Sequence, residues 1–116
     1  MAGSFPVAHW QAVVKDPTSA AAFYSTCFGW SVDDGNALGY RALSNCGLDG
    51  GIWPSGDAGP FIQLFVGVPD VDAMLREVET HGGKILVPKQ VLPDGDEMAV
   101  IADPQGISWG IMRSRV

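Results

Sequence analysis

VAHWQAVVKDPTSAAAFYSTCFG, residues 7–29, is the stretch that decides the fold. Val7, His9, Gln11 and Val13 alternate with Ala8, Trp10, Ala12 and Val14, which is the period of a strand, and the second set is wholly apolar. Asp16 follows as a capping carboxylate with Pro17 at the first helical position. Ala20, Phe23, Tyr24 and Cys27 then space an apolar stripe along a short helix that Gly29 can end. FIQLFVGVPDVDAMLREVETHGG, residues 61–83, repeats this order. Phe61, Gln63, Phe65 and Gly67 alternate with Ile62, Leu64, Val66 and Val68. Asp70 then caps a helix carrying Val71, Met74, Leu75 and Val78 on one face, and Gly82-Gly83 closes it.

Outward from each helix the pattern is of short strands. Trp30 to Asp33, Tyr40 to Ser44 and Leu48 to Trp53 follow the first helix, with a turn at Asp34-Gly35-Asn36. Lys84 to Val87, Met98 to Ala102 and Ile107 to Met112 follow the second, with turns at Asp94-Gly95 and Asp103-Pro104-Gln105-Gly106. The sequence thus predicts an α+β chain of two tandem βαβββ modules, residues 5–53 and 61–114, joined by the breaker-rich residues 54–60 within a single domain of residues 1–116.

Composition bounds the function. Of 116 residues 47% are apolar, enough for a core without staples, so a disordered chain is excluded. Thirteen acidic against seven basic residues give a net charge of -6, a field that repels phosphate backbones, so no nucleic acid partner is expected. Cys27 and Cys46 lie far apart and read as buried or idle thiols. MAGSFPVAHW has no secretory pattern and no apolar run is long enough for a membrane span, which leads to the expectation of a cytoplasmic protein without a membrane partner. No nucleophile motif, phosphate-binding glycine loop or paired metal-binding histidine motif is present, and His81, in the last turn of the second helix, reads as a cap.

HWQAVVKDPTSAAAFYSTCFGW (9–30), VPDVDAMLREVETHGGKI (68–85) and ADPQGISWGIM (102–112) together resemble the vicinal oxygen chelate superfamily, which includes glyoxalase I, bleomycin-resistance proteins and extradiol dioxygenases. The resemblance implies a glyoxalase-like sheet enclosing a cleft, and a homodimer. In metal-using members it also implies two ligands from each module. His9 matches the first of these and Gln63 the corresponding place in the second module. The other two places fall near Gly51 and on Gly110, which have no side chain. No metal cofactor is therefore expected. The alternative is a divalent ion held by His9 and Gln63, with Asp49, Asp96 or Glu97 reaching in.

If the aliphatic faces of both first strands lie under helices, His9, Gln11, Phe61, Gln63 and Phe65 line the cleft, joined by Trp53, Ser108, Gly110 and Met112. Gly51 and Gly110 are then expected to leave room where a metal would sit. Phe23, Phe28 and Trp30 are expected in the core, and Trp10 and Trp109 on the helix side. Such a lining suits a metal-independent protein that binds a small aromatic or cationic molecule. The alternative is a metal-dependent lyase, isomerase or dioxygenase using His9.

Overall fold

A computed structural model describes residues 3–35, 39–56 and 59–114. Asn36, Asp57 and Ala58, from the expected turn and connection, lie outside the described residues. The elements are β1 (Val7–Val14), α1 (Pro17–Phe28), β2 (Ser31–Val32), β3 (Arg41–Ser44), β4 (Gly50–Pro54), β5 (Phe61–Val68), α2 (Val71–Thr80), β6 (Lys84–Val91), β7 (Glu97–Ala102) and β8 (Ser108–Arg113). The order βαβββ thus occurs twice, in an α+β fold.

The chain forms two compact units, residues 9–63 and residues 1–8 with 64–116. Their boundaries fall inside β1 and β5 rather than in the connection. In residues 9–63 the strands run in the order β2-β3-β4-β1, with β4 parallel to β1 and antiparallel to β3. In the other unit the order is β5-β8-β7-β6, with β8 parallel to β5 and antiparallel to β7.

Both caps form as the sequence predicts. The Asp16 carboxylate accepts from the Ser19 amide at 3.0 Å and the Asp70 carboxylate from the Ala73 amide at 3.0 Å. Each satisfies an amide left open by the first helical turn. Gly29 ends α1 in the left-handed conformation with φ 71°. His81 ends α2, its Nδ1 lying 2.9 Å from the Glu77 carbonyl oxygen.

The helices differ in how they pack. α2 buries Val71 and Leu75 against Val68, Ala99, Ile101 and Ile111, with Trp109 at the margin on the expected side. α1 buries only Ala21, which joins Leu43 and Ile52, with Trp10, Tyr24 and Trp30 around them. Phe23 and Phe28 depart from the sequence expectation, being 54% and 53% exposed. The small residues Ala20 and Ala21 bring the helix close to the sheet and set its rotation, which turns Phe23 and Cys27 outward. Cys27 is accordingly exposed rather than buried, and Cys46 is half-buried, its thiol 3.4 Å from the Leu48 carbonyl oxygen.

The aliphatic face of β5 also departs from expectation. Ile62 and Leu64 are exposed, while Gln63 and Phe65 on the opposite face are buried. α2 begins at Val71 and packs over the later part of the strand, at Val66 and Val68, leaving the first half uncovered.

Candidate functional site

The site in residues 9–63 is built on two adjacent glycines. Gly50 and Gly51 lie on β4 between β1 and β3, paired with Trp10 and Gln11 on one side and with Leu43 and Ala42 on the other. A Cβ on Gly50 would land in the Trp10 indole, and a Cβ on Gly51 in the Tyr40 ring. Because successive strand residues face opposite ways, the pair seats one ring on each face of β4. Trp10 is fixed there by donation from its Nε1 to the Leu48 carbonyl at 2.7 Å.

Tyr40, seated over Gly51, reaches across to β1. Its hydroxyl oxygen lies 3.1 Å from His9 Nε2 and 3.3 Å from the Gly50 carbonyl oxygen. The Trp53 ring stands beside it, centroids 6.2 Å apart and tilted by 49°. His9, Gln11, Tyr40 and Trp53 are all half-buried.

Protonation follows from these surroundings. Burial, the larger effect, holds His9 below its ordinary value of 6.5; donation to the Asp49 backbone and the Asp49 charge oppose it. Tyr40 is pushed up to about 12, first by burial and then by the charges of Asp33 and Asp49. At neutral pH the pair is therefore an imidazole and a phenol, both uncharged. The direction of the hydrogen bond between the Tyr40 hydroxyl and His9 Nε2 follows the His9 tautomer.

In the other unit β5 and β8 pair with Phe65 beside Gly110. The Phe65 ring, 2% exposed, occupies the space a Cβ on Gly110 would enter. The sequence expectation of room at Gly51 and Gly110 is thereby corrected, since a ring fills each place. Met112 is half-buried opposite Met98, and Ser108 is exposed.

Of the remaining residues singled out from sequence, Phe61 is 44% exposed and Gln63 is 5% exposed. Glu97 is paired with Arg113 at 3.2 Å, and Asp49 is exposed. The structure brings together His9, Tyr40 and Trp53, with Gln11 beside Gly51 in the strand register. Tyr40 escaped the sequence reading because it stands just before β3; its signal was the Gly50-Gly51 pair, which marks a strand where something approaches closely.

Residues 7–111 match the family model described as the Glyoxalase/Bleomycin resistance protein/Dioxygenase superfamily. The chain belongs to this superfamily. The anthracycline biosynthesis protein DnrV of Streptomyces peucetius is 33% identical over 87% of this chain and 44% of its own length. The chain spans 42% to 44% of the length of the curated relatives it matches. Among solved structures, hypothetical protein BH1468 from Bacillus halodurans superposes with a TM-score of 0.72 at 14% identity, covering 98% of this chain and 97% of that one. Methylmalonyl-CoA epimerase from Mycobacterium tuberculosis gives 0.64 at 21% identity, covering 93% and 87%. These structural likenesses show that the chain shares their fold. No helix among the described residues is long and apolar enough to cross a membrane.

Proposed function

We propose that this superfamily member binds a small aromatic molecule without a metal, using His9 and Tyr40 as polar anchors and the Tyr40 and Trp53 rings as its wall. The observation that carries the reading is Tyr40: its ring lies on Gly51 and its hydroxyl engages His9 Nε2. Phe65 on Gly110 supports it from the other unit. In residues 9–63 the places that the family resemblance gives to a divalent ion offer one imidazole already hydrogen-bonded, one buried amide and a glycine under a ring, donors that do not fit such an ion. The relative named for anthracycline biosynthesis favours an aromatic ligand, and the net charge of -6 favours a cation over an anion.

Calorimetric titration with a panel of flat aromatic compounds, neutral and cationic, tests the proposal. Binding that survives a chelator is the expected result. Stoichiometric metal in the purified protein, lost together with turnover in His9→Ala, would instead establish a metal-dependent lyase, isomerase or dioxygenase.

We further propose a homodimer formed through α1. The helix carries no charged side chain and leaves Phe23 and Phe28 in edge contact, centroids 5.5 Å apart and more than half exposed. On a chain of net charge -6 an uncharged aromatic face is where two copies can meet without repulsion. Light scattering should give twice the chain mass, and Phe23→Ser with Phe28→Ser should halve it; a wild-type monomer at every concentration tested would sink the idea.

A further inference from the structure

We infer that the site takes a cationic aromatic ligand and that Asp49 is the residue that selects the charge. The inference deepens the metal-independent reading above and rests on it. Asp49 directly precedes β4, so strand alternation carried back from Trp53 and Gly51 puts it on their face, the one that bears Tyr40. One step back along the β1–β4 register from the Trp10–Gly50 pair, it stands across from His9. Its backbone is held from both sides: the Leu48 carbonyl accepts from Trp10 Nε1 at 2.7 Å, and Gly50 lies against the Trp10 ring. Asp49 is exposed, so an arriving ligand can reach it.

The charge around this face is one-sided. The charges of Asp33 and Asp49 both act on Tyr40, and that of Asp49 also on His9. Asp33 is engaged with the backbone, its carboxylate accepting from the Gly35 amide at 3.0 Å and the Ala42 amide at 3.2 Å, which leaves Asp49 to meet a ligand. Residues 9–63 carry two basic side chains, Lys15 and Arg41. Arg41 pairs with Ile52 on the α1 side and donates to Thr18 Oγ1 at 3.2 Å, and Lys15 stands before α1. The Tyr40 and Trp53 rings, tilted by 49°, form a corner rather than a stack, and the electron-rich faces of a phenol and an indole attract a cation more than a neutral ring of the same shape. Screening by salt removes most of the pull of distant carboxylates, so discrimination falls to the one at the site.

The test is titration of the protein at pH 8, above the ordinary value of an imidazole, with 1-methylquinolinium, a permanent cation, and 1-methylnaphthalene, its neutral isostere. The cation should bind about tenfold more tightly. Asp49→Asn should shrink that preference to about threefold by weakening the cation alone, and an unchanged affinity for 1-methylnaphthalene shows that the variant is folded. Glu79→Gln, which removes the same charge from an exposed position on α2, should keep the full preference. Equal affinities for the two compounds in the wild type overturn the charge selection while leaving aromatic binding standing. A full preference in Asp49→Asn, or an equal loss in Glu79→Gln, overturns it too, because the field of the whole chain rather than Asp49 would then be the selector. Failure of both compounds to bind overturns the aromatic reading on which it rests.

Discussion

Tyr40 on Gly51 and Phe65 on Gly110 are one packing device used in two units, and they differ by an oxygen atom and by exposure. Phe65 is sealed at 2% exposure. Tyr40 is half-buried, and its hydroxyl ties a ring from the segment before β3 to a histidine on β1. The apolar version fills its place and seals it. The polar version creates a hydrogen-bonding site from the same geometry, because a phenol laid over a strand has to place its oxygen beside that strand's neighbours. Close approach of a ring to a glycine therefore says where a side chain is missing, and the identity of the ring says what replaced it.

The comparison breaks most visibly at the sealed end. Gly110→Glu must expel the buried Phe65 ring and bury a carboxylate, and should cost about 3 kcal/mol or more in denaturant unfolding. A variant as stable as the wild type would mean that Phe65 has somewhere else to go. Gly51→Ala should cost about 1–3 kcal/mol, the range for inserting a methyl group into packed space. Adding Tyr40→Ala to it should recover part of that loss, so that the double variant is more stable than the sum of the singles implies. Strict additivity would show that the ring and the glycine do not sense each other.

Tyr40→Phe makes the two devices chemically alike and should cost about 1 kcal/mol, the net worth of a typical hydrogen bond. The smallest effects are on pH dependence. Burial lowers His9 in the folded chain, so the unfolded chain binds the extra proton first, and stability should fall as pH drops below 6.5. Tyr40 is raised, so the unfolded chain loses its proton first, and stability should fall again between pH 10 and about 12. Thermal melts should lose the acid component in His9→Phe and the alkaline component in Tyr40→Phe; unchanged profiles in both would remove the pair from the account.

The fold was largely legible in the sequence because its signals are local. Asp16 and Asp70 announce both helices through short-range capping, and the alternation from Val7 to Val14 and from Phe61 to Val68 gives β1 and β5 with their observed limits. α2 was also placed on the correct face, since Val71 and Leu75 leave one way to bury it. α1 was not, because Ala20 and Ala21 offer little apolar area on the face they set, and large rings elsewhere dominate any reading by hydrophobicity.

The site was legible in part. His9 and Trp53 follow from strand alternation. Tyr40 does not, because its role depends on pairing β3 with β4 so that Gly51 lies within its reach. Reading Gly51 and Gly110 as vacant assumed that an absent side chain leaves a hole, whereas close packing invites the nearest ring into it.

The seated rings also constrain how this chain can change over generations. Two of the four glycine codons become glutamate codons by a single base change, so a carboxylate at position 51 or 110 is within easy mutational reach. Each such step is nonetheless blocked while Tyr40 or Phe65 holds its place. A lineage acquiring a carboxylate at either position would have to shrink the ring first, and the intermediate, with neither, would carry the instability of an open cavity. The two rings thus set the order in which these positions can change.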